Sequence, residues 1–298
     1  NNFGGRMGLH GHMDNIVSGV VDAANNSEML TGIGITPEGS QNNPVLYDLL
    51  FETVWCDDAK KPLTEINTDQ WLKDYVTRRY GAESKPACEA MKILDKADLN
   101  MRGQGAPESY VNARPAESIG AASTWGNAVV GYNMEELENA AELLMEDYDT
   151  LKNSDAYLYD LADVLKQVLS NSSQKYHAAM VSAYRAGNLE EFTEASDQFL
   201  SLIDKVEEVL GTRKEFLFGT WTEQAKKLAE GDDDFTKDIY ELNAKSLVTT
   251  WASYPQAESG GLKDYSNRQW AGLTKDFYKQ RWMMWINQKK AELKGEST

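Results

Sequence analysis

The chain has 298 residues, enough for one large domain or two ordinary ones, and its 41% apolar and 10% aromatic content supports a packed core and argues against disorder. A net charge of −17 repels phosphate backbones and argues against a nucleic-acid partner. No apolar run approaches the ~20 residues of a membrane span. No lysine-led apolar leader opens the chain, so no signal peptide is expected. The absence of an initiator Met, with a start inside "NNFGGRMGLHGHMD", reads as a cut.

In chain order, a glycine-rich loop from Gly4 to Gly11 leads into an expected helix, Met13 to Ala24. "HGHMD" contains His10 and His12, which would diverge on a strand and lack helical i, i+4 spacing, so no metal is expected there. Met29 to Ile35 is short and apolar, with Gly32 and Gly34 between its isoleucines, and reads as a buried strand. After Pro44, Val45, Leu46, Leu49 and Leu50 recur at helical spacing as far as Trp55. Glu38 therefore falls in a strand-to-helix turn. In parallel α/β folds catalytic groups collect at the carboxyl ends of strands, whereas an ordinary connecting turn would leave Glu38 merely solvated. This βαβα rhythm has too few units to close a sheet, and a solitary strand cannot satisfy its own backbone groups.

Near residue 60 the character changes to all-α. "TDQWLKDYVTRRYG" opens on Asn67 or Thr68 as cap and stops on Gly81, with Trp71, Tyr75 and Val76 on one face. Glu83 to Ala97 continues as a helix, and residues 98–133, with Pro107 and Pro115, read as an irregular connector. Helices are expected at 134–152, 156–169, 176–186, 189–210, 216–230, 235–250 and 262–293. Leu161, Leu165 and Leu169 form one apolar stripe, beside Tyr157 and Val168. The acidic run at 230–234 lacks a calcium-loop pattern and reads as a solvated turn. Cys56 and Cys88 have no metal or redox spacing and read as free thiols, although a single disulfide is compatible with the sequence. The triplets at Asn25 and Asn171 match the glycosylation pattern but arise readily by chance. With no phosphate cradle, nucleophile elbow or catalytic Cys/His pairing, no cofactor is expected. Trp251, Tyr254 and Tyr265 cluster about a loop between two expected helices. There they suit stacking on a sugar face, or equally pinning the loop to the helices.

Six stretches together resemble the family 89 glycoside hydrolases: "NFGG" at Asn2 to Gly5, "TGIGITPEG" at Thr31 to Gly39, "RRYG" at Arg78 to Gly81, "YDLADVLKQVL", "FLFGTWTEQAK" and "LKDYSNRQWAGLTKDFY", with "QRW" close behind. They occur in the family's order across the whole chain. The resemblance implies a mostly α chain, with the C-terminal end of a (β/α)8 TIM-type barrel over 1–60 and a large all-α helical domain over 61–298. It implies a retaining hydrolase that removes terminal α-linked N-acetylglucosamine from glycans, outside the cytoplasm, with no metal. Glu38 matches the family's nucleophile. The acid/base carboxylate lies on an earlier barrel strand, so the chain needs the remainder of the barrel and is expected to be inactive alone. By position, Trp251, Leu262 and Tyr265 match pocket-wall residues, and Asn2 matches a strand end near the substrate. Arg6 stands where an asparagine is commoner, and no sugar contact is expected of it. The alternative from another class is a non-catalytic all-α binding or scaffold module, which leaves the turn at Glu38 without a purpose.

Overall fold

The computed structural model describes residues 8–11, 13–38, 43–55, 66–97, 108–124, 128–253, 255–256, 259 and 261–296. It is helical, with no strand among these residues. By packing it divides into two compact units. One contains Leu9–Ala106 and Val130–Val164, and the other Pro107–Val129 and Leu165–Thr298.

The first unit opens with α1 (Met13–Asn26) packed on α2 (Pro44–Trp55). Met13, Val17 and Val21 of α1 and Val45 and Leu49 of α2 are buried, as the helical spacing predicts. The expected strand at 29–35 is not formed. Leu30 to Pro37 is irregular, and Met29 is 88% exposed. The physical reason is pairing: a strand is stable only through a neighbour's backbone groups, and none of the described residues supplies one.

Helix α3 (Thr68–Tyr80) is bounded as its sequence dictates. The Asn67 side chain accepts from the Gln70 amide at 3.0 Å, and Gly81 closes the helix at φ 77°, a left-handed turn that glycine adopts without strain. Trp71, Leu72, Tyr75 and Val76 are buried, and α3 packs on α4 (Lys85–Ala97), which packs on α5 (Met134–Glu146). The helix expected over 134–152 breaks at Asp147. A short α6 (Tyr148–Leu151) follows, and Asp147 accepts from the Ser84 hydroxyl at 2.6 Å.

A further expectation is corrected. Residues 156–186 form one helix, α7 (Asp155–Arg185), where two were expected. The polar run "SNSSQK" does not break it, because its side chains bond within the helix. Ser170 donates to the Lys166 carbonyl at 2.7 Å, Ser172 to Val168 at 3.1 Å, and Gln167 to Asn171 at 2.9 Å. Asn171 is therefore buried, which removes it as a glycosylation site.

In the second unit, α8 (Leu189–Gly211) packs on the last helix, α11 (Lys279–Lys294). Phe192, Phe199 and Ile203 meet Met180, Trp282 and Ile286 in a buried core. A short 3₁₀ turn (Lys214–Phe216) precedes α9 (Phe218–Lys227), which packs on α10 (Asp234–Val248). The acidic run is an exposed turn, and Asp233 in it caps α10 by accepting from the Thr236 amide at 2.7 Å.

The helix expected to start near Leu262 instead begins with a π-helical turn (Thr274–Tyr278) before α11. Residues 262–272 are a largely buried loop whose polar backbone finds partners elsewhere. The Phe218 amide donates to the Ala271 carbonyl at 3.0 Å, and the Ala271 amide donates to the Phe216 carbonyl at 2.8 Å. Gly272 at φ 89° turns the chain, and Glu207 of α8 accepts the Gly272 and Lys275 amides at 2.6 and 3.1 Å, a carboxylate placed where the new helix begins. No helix among the described residues is long and apolar enough to cross a membrane.

Candidate active site

Glu38 belongs to the first unit. It ends the irregular segment after Thr36 and Pro37, is exposed, and lies shortly before α2. Pro44 starts that helix at the position where proline's missing N–H is harmless, and the Leu46 amide donates to Asn43 O at 3.0 Å.

Trp251, Leu262 and Tyr265 belong to the second unit, where the structure brings two of the rings together. The Trp251 and Tyr265 centroids are 5.1 Å apart with planes at 74°, an edge-to-face pair. Trp251 follows the end of α10 at φ 73°, with its amide bonded to the Ser246 carbonyl at 2.7 Å. Positive φ on a bulky residue is strained, and such strain concentrates at ligand clamps and active sites. The Tyr265 amide donates to the Leu262 carbonyl at 3.2 Å, so one tight turn carries both side chains. All three residues are half-buried, which leaves part of each surface available for contact. Asn2 and Tyr254 lie outside the described residues.

Sequence reasoning missed the polar network beneath this turn. Glu108, from the connector, accepts the Ala122 and Ser123 amides at 3.0 and 2.9 Å and the Asn267 side chain at 3.2 Å. Asn112 donates to Asn267 at 2.8 Å. Asp264 receives Arg114 and Arg281. These partners are far apart in the chain, and the only sequence trace of them is that Asp264 and Asn267 lie inside one of the matching motifs.

Other candidates resolve simply. His10 is buried, and its amide donates to the Asn43 side chain at 3.1 Å, while His12 lies outside the described residues. Among the described residues no group of three or more His, Cys, Asp or Glu is placed to hold a metal ion. Cys88 is a free, half-buried thiol whose pKa burial raises, and Cys56 lies outside the described residues.

Comparison with known proteins decides the family. The model of the α-N-acetylglucosaminidase C-terminal domain matches residues 71–298, and that of the α-N-acetylglucosaminidase TIM-barrel domain matches residues 1–57. The chain belongs to the α-N-acetylglucosaminidase family. Human α-N-acetylglucosaminidase is 31% identical over 292 residues, which are 96% of this chain and 36% of the human protein. A family 89 glycoside hydrolase from Clostridium perfringens, solved with 2-acetamido-1,2-dideoxynojirimycin, superimposes with a TM-score of 0.93 at 48% identity. It covers 100% of this chain, which in turn spans 33% of the bacterial one. A Clostridium perfringens variant with two Glu→Gln substitutions, solved with its substrate GlcNAc-α-1,4-galactose, matches with a TM-score of 0.93 at 47% identity. The chain thus spans about a third of the length of the relatives it matches. Its fold is accordingly the C-terminal end of a TIM-type barrel followed by a large helical domain.

Proposed function

We propose that this chain carries the nucleophile and part of the sugar pocket of a retaining α-N-acetylglucosaminidase, with residues 1–60 as the last βα units of its barrel and 61–298 as its helical domain. The observation that carries the reading is Glu38: an exposed carboxylate in "TGIGITPEG", inside the segment matched by the TIM-barrel family model. Two features of the relatives support it. One was solved with an iminosugar related to N-acetylglucosamine, and another with its substrate after two glutamates had been replaced by glutamine.

In this mechanism the Glu38 carboxylate attacks the anomeric carbon, and a glycosyl-enzyme forms as the glycosidic bond breaks. A second carboxylic acid protonates the leaving oxygen, then takes a proton from the water that releases the sugar. The two carboxyl groups of a retaining enzyme lie ~5–5.5 Å apart. The second group is assigned to no glutamate of this chain and belongs to the remainder of the barrel. Trp251, Leu262, Tyr265 and Asn2 form part of the wall against the sugar. The substrate is a glycan ending in α-linked N-acetylglucosamine, and the site of action is extracytoplasmic.

The test is Glu38→Ala in the enzyme with its whole barrel. Turnover should fall by orders of magnitude with the fold intact, and azide should restore part of it with inverted product, because the small anion enters the vacated space. A variant that retains a substantial fraction of the wild-type rate returns the chain to the reading of a non-catalytic helical module.

A further inference from the structure

Asp264 is fully buried and stands at φ 50°, directly before Tyr265. Two arginines from distant segments converge on one of its oxygens: Arg114 Nε at 3.1 Å and Arg281 Nη1 at 2.9 Å from Oδ2. Arg281 also donates through Nη2 to the Asn112 carbonyl at 2.6 Å, so the guanidinium is held on two sides. The backbone around Tyr265 is tied down on either flank. The Thr124 amide donates to the Lys263 carbonyl at 3.2 Å, and Asn267 returns both its amide and its Nδ2 to the Asp264 carbonyl at 3.1 and 3.0 Å. Within this clamped stretch the Tyr265 ring is half-buried and makes an edge-to-face pair with Trp251.

We infer that Asp264 is a positioning residue for the sugar pocket: its carboxylate joins Arg114 and Arg281, and so fixes the turn that presents Leu262 and Tyr265. The inference rests on the proposed role of those two residues as pocket wall. A carboxylate is needed because two guanidiniums that share one fully buried oxygen repel each other unless that oxygen carries the compensating charge. Aspartate also suits the backbone, since Asp and Asn are the non-glycine residues enriched at positive φ. Asp264→Asn therefore keeps the shape and the backbone preference, removes the charge and replaces one acceptor oxygen with an NH2 group.

The experiment measures steady-state kinetics on an aryl α-N-acetylglucosaminide, and melting temperature, for the enzyme with its whole barrel. Asp264→Asn should raise KM by up to about tenfold, the equivalent of one lost ring contact, with kcat little changed. Tyr265→Ala should do the same, and the double variant should be no worse than Tyr265→Ala alone, because one residue acts through the other. Arg114→Gln, at a side chain 30% exposed, should give a smaller shift in the same direction, and it decides the matter if Asp264→Asn does not fold. Lower melting temperatures with wild-type KM in both Asp264→Asn and Arg114→Gln would overturn the inference and leave a purely structural anchor. A double variant whose KM shift is the product of the two single shifts would overturn it as well. Wild-type kinetics for Tyr265→Ala would remove the pocket reading itself, and the inference with it.

Discussion

The guanidinium of Arg79 grips the carboxylate of Asp160 with two hydrogen bonds, Nε to Oδ2 at 2.6 Å and Nη2 to Oδ1 at 2.8 Å, and the Tyr80 hydroxyl donates to Oδ2 at 3.0 Å. Asp160 is buried, and Arg79 also lies over the Tyr75 ring at 5.8 Å. This joins α3 to α7 within the first unit, and it joins "RRYG" to "YDLADVLKQVL", two of the stretches that carry the family resemblance.

Removal of Arg79 leaves the buried Asp160 carboxylate without a cation beside it, with only the Tyr80 hydroxyl as a named donor. Arg79→Met should therefore destabilise the fold by about 3–5 kcal/mol in chemical denaturation, and Arg79→Met with Asp160→Leu should cost less than the single change. Burial already raises the Asp160 carboxyl, against the opposing pull of Arg79 and Tyr80. Without Arg79 it rises further, and a raised carboxyl favours the protonated folded form. The cost of Arg79→Met should thus be full near neutral pH and shrink as pH falls toward the unfolded-state carboxylate range. A pH-independent cost below about 0.5 kcal/mol, the range of an ordinary surface change, would sink the prediction.

His177 supplies a second pH dependence, of opposite sign. It is buried between the edges of Tyr110 and Trp282, and its Nε2 donates to the Ala116 carbonyl, which can only accept, at 2.8 Å. Burial lowers its pKa despite that bond. The unfolded chain then binds the extra proton first, so stability should fall as pH drops below about 6.5, until the folded-state imidazole also protonates. His177→Gln, which retains a donor for Ala116, should flatten the curve of unfolding free energy over that window. An unchanged slope would assign the dependence to other groups.

Trp251→Ala and Tyr265→Ala should each reduce kcat/KM by about 1 kcal/mol or more of lost ring contact in the enzyme with its whole barrel. The alternative, rings that only pin the loop, gives lower melting temperatures with unchanged kinetics in the folded fraction. Trp251→Gly separates the two roles further. Glycine relieves the positive φ, so a variant at least as stable as Trp251→Ala yet equally impaired would place the strain in the service of the ring.

The 298-residue chain by itself should show no turnover of an aryl α-N-acetylglucosaminide, because the proposed mechanism assigns the second carboxylate to the remainder of the barrel. Turnover abolished by Glu38→Gln would show that the chain contains a complete acid/base pair.

The sequence by itself determined the helices whose signals are local. Asn67 and Gly81 bound α3, Pro44 starts α2, and the apolar spacing of Val45 and Leu49 selects the buried face, each within a few residues of where it acts. Its ordered motifs also carried the family, and the proposal for Glu38 rests on them. Tertiary structure decided what local rules could not. The isoleucines and glycines of 29–35 suit a strand, yet they form none without a partner. The serines of α7 suit a break, yet they bond inside one long helix. Residues 262–272 read as helix, yet Phe216, Phe218 and Thr124 take up their backbone groups, and Asp264 is claimed by arginines 150 and 17 residues away. Buried polar groups must find partners, and when those partners lie a hundred residues apart only the folded chain brings them within reach.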